Sequence, residues 1–361
     1  MDHNFYTLII SDIKTETEDS KVIVFTIPEE LKENFRWSSG QNITLRFYDE
    51  GVEQRRSYSI NTAPFESSLQ IGVRAIPEGK FSQRMINELR PGSQLEVMPP
   101  TGSFTLGHTP ATCQQFVFIA AGSGITPVIS LIKDLLTNHH DSQVMLIYGN
   151  RQQSTIMFRE ELEDLKDRFL TRFQLVYLLS RESLENEFFS SRINAVNSKY
   201  LCEKFITQPQ SANYFLCGPE AMVMEVRDML FGELNIPAEQ VHFELFFTGA
   251  MKADETPEVI VVDSEVSRLT IIMDGKESVM DLAYEGDVIL DRGIEEGLDL
   301  PYACHGGVCS TCKAKLIKGE VEMDSNFSLE QDEIKAGYIL TCQSHPRSPE
   351  VVVITIINLS R

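Results

Sequence analysis

Nowhere does this chain come near the roughly 18 consecutive apolar residues that a membrane-spanning helix requires. Its start, Met1-Asp2-His3-Asn4-Phe5, carries no basic stretch followed by an apolar one, so no secretory signal is expected. Basic residues are scarce: 32 Lys and Arg stand against 53 Asp and Glu, a net charge of −21. Nucleic-acid backbones are held by Lys/Arg clusters, so nucleic acid is not an expected partner. The acidity serves solubility, or it steers a protein that presents a basic face. A disulfide framework is missing too. Of seven cysteines four belong to one motif, and the remainder, Cys113, Cys202 and Cys217, is odd in number, which points to a reducing cytoplasm. There is no internal repeat, no low-complexity tract and no pair of Glu-x-x-His motifs of the kind that di-iron bundles use.

What is present divides by style. At 361 residues the chain has room for two to four domains of about 100–200 residues each. Up to about residue 107, short apolar runs (Val22 to Ile27, Ile43 to Tyr48, Leu69 to Val73, Leu95 to Met98) alternate with glycine turns, the pattern of a small antiparallel barrel or sandwich. From Phe116 to Ala121 the run is continuous and apolar, and a helix-period segment follows through Leu136. Strand and helix patterns then alternate: Val144 to Tyr148, Glu160 to Leu170, Gln174 to Leu179, Tyr214 to Cys217. That alternation predicts a parallel sheet with helices on both faces. A small, polar stretch from Gly249 to Glu258 reads as a linker, and beyond it Asp274-Gly275 predicts a hairpin across Thr270 to Val279.

The most specific motif is Cys304-His305-Gly306-Gly307-Val308-Cys309-Ser310-Thr311-Cys312, with Cys342 further on. C-x4-C-x2-C followed by one distant cysteine is the spacing of plant-type [2Fe–2S] sites. Two irons bridged by sulfide need four thiolates, three from one tight loop, and glycines let that loop adopt strained dihedrals close to the sulfides. Structural zinc is the competing reading, but zinc sites usually pair two CxxC or CxxH knuckles and this chain has one.

The turn Ala121-Gly122-Ser123-Gly124-Ile125-Thr126-Pro127 lies between a buried strand and a helix, a context that suits a dinucleotide's diphosphate. Pro127 fits the first helical turn, where a missing N–H costs nothing. Cys217-Gly218-Pro219 ends the last candidate strand of the same sheet, where open α/β sheets bind ligands; a buried free thiol is the alternative for Cys217. A nicotinamide gives up two electrons as hydride and a [2Fe–2S] cluster takes one, so a chain with both sites needs a converter, usually flavin. Arg56-Ser57-Tyr58-Ser59, with cation and ring on one face of a strand, is the candidate for holding it; a half-exposed strand is the alternative.

These motifs resemble the ferredoxin–NADP reductase superfamily, in the class whose ferredoxin domain is C-terminal. The likeness is greatest at Leu300 to Cys312 and Tyr338 to Pro346, and the chain looks most like the reductase subunits of phenylacetyl-CoA epoxygenase systems. The resemblance implies an FAD-binding β-barrel at 1–107, an NAD(P)-binding α/β domain at 108–248, a linker at 249–263 and a β-grasp [2Fe–2S] ferredoxin domain at 264–361. It matches R-x-Y-S to Arg56, Tyr58 and Ser59, and a G-x-x-S diphosphate turn to Gly79-Lys80-Phe81-Ser82. It assigns Gly122, Gly124, Thr126 and Pro127, with Cys217, Gly218 and Pro219, to the nicotinamide nucleotide. Ser59, Cys217 and Glu244 are the implied hydride-transfer residues, and Phe246 the implied ring-stacking aromatic. Cys304, Cys309, Cys312 and Cys342 are the implied iron ligands.

Ser180, Arg181 and Arg192 match the positions that NADP-using relatives turn toward a 2′-phosphate, which favours NADPH. Glu182 keeps NADH open, because a carboxylate there accepts from a ribose 2′-hydroxyl. The expected activity passes electrons from NAD(P)H through FAD and the cluster to a separate oxygenase. A reductase of a steroid- or ring-hydroxylating system, a flavin/iron–sulfur sensor without turnover, and a zinc-stapled binding module remain the alternatives.

Overall fold

A computed structural model describes residues 5–109, 113–246 and 265–355, so the expected linker lies outside the described residues. They fall into two compact units, one built from residues 6–54 and 58–246, the other from residues 5, 55–57 and 265–355.

The first unit opens with strands β1 (Tyr6–Thr17), β2 (Ser20–Thr26), β3 (Asn42–Asp49), β4 (Val52–Ser59), β5 (Leu69–Arg74) and β6 (Gln94–Val97), with helix α1 (Lys80–Asn87) before β6. They form one sheet in the order β4-β3-β6-β1-β2-β5. A bridge from Ile60, just past β4, to Ile71 on β5 joins the two ends and closes the barrel. Closure removes the exposed strand edges that an open sheet would leave. Inward side chains (Leu8, Ile10, Ile23, Phe25, Ile43, Leu45, Ile71, Val97) fill it, and α1 adds Phe81, Met85 and Ile86. β1 carries no strand signature in the sequence, because Ile13 is the one apolar residue of its second half.

The same unit continues with β7 (Gln115–Ala121), α2 (Ile125–Asn138), β8 (Gln143–Asn150), α3 (Arg159–Arg168), β9 (Phe173–Leu179), α4 (Ala195–Phe205), β10 (Asn213–Gly218), α5 (Glu220–Gly232) and β11 (Val241–Leu245). All five strands are parallel, in the order β11-β10-β7-β8-β9. The order reverses between β7 and β10, and ligands of open parallel sheets bind at the strand ends beside such a reversal. β11 lies beyond β10, so the strand ending at Cys217 is not the last of the sheet. Five residues with His242 and Glu244 among them do not read as a buried strand.

Barrel and parallel sheet meet along a polar seam. Lys133 of α2, 5 % exposed, binds Glu66 of the barrel at 2.8 Å and Glu161 of α3 at 3.0 Å. Ser130 donates to the Thr62 carbonyl, and Glu16 of β1 accepts from the Phe158 amide at the start of α3.

The second unit comprises β12 (Val266–Met273), β13 (Lys276–Ala283), α6 (Ile289–Glu295), β14 (Lys313–Lys318), β15 (Val321–Met323), α7 (Gln331–Lys335), β16 (Tyr338–Leu340), β17 (Ser344–Pro346) and β18 (Glu350–Thr355). Its main sheet runs β13-β12-β18-β14-β16, with β12 and β18 parallel. β12 and β13 form the expected hairpin. Asp274 and Gly275 carry φ of 50° and 74°, as a two-residue turn with positive dihedrals requires. Ile289 and Leu290 of α6 pack with Leu269, Ile271, Val351 and Val353 of the sheet.

Candidate functional site

The reversal point of the parallel sheet is where the residues matched to the nucleotide gather. Gly122 has φ of +57°, a left-handed turn that glycine adopts without strain. Gly124 has an ordinary φ of −60° but leaves no room for a side chain: a Cβ there would lie 2.3 Å from the Cys217 carbonyl oxygen. Its missing side chain therefore serves the contact between α2 and the tip of β10, whereas the sequence suggested room for a diphosphate. Thr126 and Pro127 are buried in the first turn of α2; the Thr126 hydroxyl donates to the Ser123 carbonyl, and its methyl faces Gly72 of the barrel. No side chain caps α2.

Three residues from separate strands converge beside this turn. Cys217 pairs in register with Glu244, and Ser59 at the end of β4 hydrogen-bonds to the Glu244 carboxyl. Glu244 is 9 % exposed and its Oε2 has no partner. Burial pushes its pKa up to about 8 against the smaller opposing effect of Ser59, so the carboxyl holds a proton at neutral pH. Burial, then the neighbouring Glu244, also raise the Cys217 thiol, which is fully enclosed and packs in the core on α2. Gly218 accepts from the Phe246 amide at 3.3 Å, placing that aromatic at the same strand ends, and Pro219 caps α5. A neutral carboxyl with an unpaired buried oxygen, set between barrel and sheet, suits the polar edge of a flavin ring or nicotinamide.

On the barrel, Arg56 and Tyr58 alternate with Ser57 along β4 and are partly exposed, while Ser59 is buried. Gly79 precedes α1 without a side-chain cap, leaving the first amides of that helix open to an anion. Ser82 shapes this turn instead of facing outward: its hydroxyl accepts from the Ile76 amide and donates to the Gly79 carbonyl. Phe81 turns into the barrel core against Phe47, and Lys80 pairs with Asp49 at the surface. The turn thus offers backbone more than side chains.

A cation that the sequence reading missed stands by the glycine turn. Arg74, at the end of β5, pairs with Asp19 at 3.2 Å and donates to the Thr155 carbonyl at 2.5 Å. Its Nη1 lies 3.3 Å from where a Gly122 side chain would begin. No motif announces it, since its place comes from the packing of barrel on sheet.

At the tips of β8 and β9, Ser180 bonds to the Asn150 carbonyl through its amide (3.0 Å) and hydroxyl (3.4 Å). The Arg181 amide bonds to the Arg151 carbonyl at 2.8 Å, and Ile193 lies over Gly149, which brings Arg192 to the same end. Arg151, Arg181 and Arg192 are all exposed, and none has an ion-pair partner among the described residues. Arg151 was not anticipated. Glu182 is engaged: its Oε1 accepts from the Gln153 amide at 2.5 Å.

In the second unit the four cysteines of the motif come together. Cys312 and Cys342 sulfurs are 3.2 Å apart, Cys304 hydrogen-bonds with Cys309 and Cys342, and no pair is a disulfide. The Gly306 and Val308 amides donate to the Cys304 sulfur at 3.4 Å. The expected glycine strain is shared differently: Gly307 takes a φ of 71°, but so do the non-glycines His305 (51°) and Ser310 (54°). A loop that spends backbone strain to aim amides at a sulfur, with four unbonded thiols at one point, fits thiolate ligation of an iron–sulfur cluster.

Three family models match successive parts of the chain. An oxidoreductase FAD-binding domain matches residues 7–106, an oxidoreductase NAD-binding domain 118–228, and a 2Fe-2S iron-sulfur cluster binding domain 271–347. The chain is 38 % identical over 351 residues to one of the component chains of the 1,2-phenylacetyl-CoA epoxidase of Escherichia coli, covering 97 % of both. It is 32 % identical to the ferredoxin reductase component of 3-ketosteroid-9-alpha-monooxygenase of Rhodococcus rhodochrous, over 94 % of this chain and 93 % of that one. The solved structure of phthalate dioxygenase reductase shares the fold at a TM-score of 0.58 and 22 % identity, over 97 % of this chain and 98 % of that one. The chain belongs to the family of oxygenase reductase components of the ferredoxin–NADP reductase superfamily, and it is an NAD(P)H oxidoreductase with FAD-, NAD- and [2Fe–2S]-binding domains.

Proposed function

We propose that this protein takes electrons from NADPH and delivers them to a separate oxygenase, the epoxygenase of phenylacetyl-CoA, in the cytoplasm. Full-length similarity to a component of phenylacetyl-CoA epoxidase carries the choice of partner. Location rests on the odd number of cysteines outside the cluster motif; among the described residues no helix is long and apolar enough to cross a membrane. NADPH is favoured over NADH by the tips of β8 and β9, where three unpaired arginines face a 2′-phosphate and Glu182, the residue an NADH site would use, is tied to Gln153.

When bound, FAD converts the hydride's electron pair into single electrons and the [2Fe–2S] cluster carries them one at a time. The protein's residues position and tune. Open amides at the start of α1, with Arg56, hold the flavin diphosphate, and Tyr58 lies along the ring. Gly122 and Arg74 receive the nicotinamide nucleotide's diphosphate, while Gly124 lets α2 close on the tip of β10 beside them. Ser180, Arg181 and Arg192 take the 2′-phosphate, with Arg151 beside them. Ser59 orients the Glu244 carboxyl, whose proton stays on that residue at neutral pH, and Cys217 and Phe246 shape the enclosure. Cys304, Cys309, Cys312 and Cys342 supply the four thiolates.

The decisive experiment is an anaerobic visible titration with NADPH and then NADH, followed by reconstitution with a phenylacetyl-CoA epoxygenase. Bleaching of flavin and cluster bands, faster with NADPH, and product formed only with the reductase present are expected. Turnover of a 3-ketosteroid hydroxylase and not of the epoxygenase moves the protein to the second relative's class. Failure of both nucleotides to reduce it points to a sensor.

A further inference from the structure

Asn150, the last residue of β8, is 8 % exposed, and beyond its approach to the Tyr148 hydroxyl neither its Nδ2 nor its Oδ1 has a well-formed hydrogen bond. Among the described residues it is the one amide side chain buried with neither end in a well-formed hydrogen bond. Buried polar groups are almost always paired, and one left open disfavours the folded state until something pairs with it. The backbone around it is held. Its carbonyl accepts from the amide and hydroxyl of Ser180, and Ile193 covers the preceding Gly149.

Its position is informative. β7 and β8 run in parallel register to the pair Ala121–Gly149, so Asn150 is level with Gly122. The Tyr148 hydroxyl, beside the Asn150 amide, donates to the Gly122 carbonyl at 2.8 Å. Arg74 approaches Gly122 from the barrel. A neutral double donor, a guanidinium and a left-handed glycine turn therefore border one spot. Arg151, next in sequence, leads to the exposed arginines beyond it.

We propose that the Asn150 carboxamide is a contact of the bound dinucleotide, Nδ2 donating to a diphosphate oxygen and Oδ1 accepting from the adjoining ribose hydroxyl. This rests on the reading that the Gly122–Gly124 turn receives a nicotinamide nucleotide. The diphosphate is common to both cofactors, so Asn150 governs affinity for NADP+ and NAD+ alike, whereas Arg181 acts on NADP+ alone.

The test titrates the FAD-loaded full chain with NADP+ and with NAD+, following the flavin difference spectrum, for wild type, Asn150→Leu and Asn150→Asp. Asn150→Leu removes a buried amide that lacks a well-formed hydrogen bond, so it is expected to keep its FAD and to melt, without nucleotide, at or above the wild-type temperature. Its dissociation constants for both nucleotides rise together, by about tenfold. Asn150→Asp keeps the shape but sets a carboxylate toward the diphosphate, and weakens both further. Dissociation constants within twofold of wild type in Asn150→Asp overturn the proposal, and that isosteric variant decides the matter if Asn150→Leu does not fold. Loss of NADP+ affinity alone also overturns it, since the amide would then serve the 2′-phosphate end. Wild-type protein that binds neither nucleotide fails at the earlier step and removes the reading beneath the proposal.

Discussion

Glu244 is the side chain whose chemistry is set most completely by its surroundings. Its pKa is raised to about 8 by burial, whereas in the unfolded chain it titrates in the ordinary carboxylate range near 4.5. Between those values the unfolded state gives up a proton that the folded state keeps. Stability from this group is therefore full below about pH 4.5 and is lost as pH rises toward 8. Glu244→Gln keeps the shape and removes the titration. Its melting temperature is expected to vary less than that of wild type across pH 5–8, with a difference in slope worth a few kcal/mol over the window. Parallel melting curves for the two proteins across that window would contradict a buried, proton-holding Glu244. Gly124 gives a second residue-scale prediction, based on space alone. With backbone 2.3 Å from any added Cβ, Gly124→Ala must push the tip of β10 away. Overpacking of this kind costs about 1–3 kcal/mol. A lowered melting temperature together with weaker NADP+ binding is expected. An unchanged melt would show that the two segments yield freely.

The tips of β8 and β9 act as an element, because two backbone hydrogen bonds, Ser180 to Asn150 and Arg181 to Arg151, tie them together. Arginines from two loops, Arg151 after β8 and Arg181 with Arg192 after β9, thereby share one end of the sheet. Arg181→Ala is expected to raise the KM for NADPH about tenfold or more and leave that for NADH nearly unchanged, the signature of a lost charge-assisted bond to a 2′-phosphate. Equal effects on the two nucleotides would place the arginine elsewhere. Legibility in the sequence followed the same line between local and tertiary. β7, β8 and the turn between β7 and α2 were readable because a continuous apolar run and a glycine turn are local signals. So was the hairpin at Asp274-Gly275, where two positive dihedrals demand those residue types. The cluster loop was readable from spacing, although the share of strain carried by His305 and Ser310 was not. Long, half-polar β1 and short β11, with its His and Glu, carry no such signature. Arg74, Arg151, Asn150 and Lys133 were invisible for one shared reason: each acquires meaning from a neighbour far away in the chain.

Over the whole molecule charge is the dominant property. The net charge is −21, and residues 264–361 hold 17 Asp and Glu against 9 Lys and Arg, a difference of −8. In α6 and its flanks, Glu285, Asp287, Asp291, Glu295, Glu296 and Asp299 are all exposed, with Arg292 as the intervening cation. A surface of one sign raises the association rate with a partner of the other sign, and salt screens that attraction over about 10 Å at 0.1 M. Electron delivery to the oxygenase should then slow as salt is added, whereas reduction of the protein by NADPH at its own nucleotide site should change less. Separating the two steps needs a variant that stops at the exit. Cys304→Ser removes one of four thiolates and is expected to abolish transfer to protein acceptors while flavin reduction by NADPH stays nearly intact. Stopped-flow rates at 0.02–0.5 M NaCl, for wild type with the oxygenase and for Cys304→Ser with NADPH alone, assign the salt dependence to one step. A steep fall confined to the oxygenase step identifies the acidic surface as the docking face for a basic partner. A flat profile there means that the partner recognises this chain by shape and apolar contact, and the acidity then serves solubility alone.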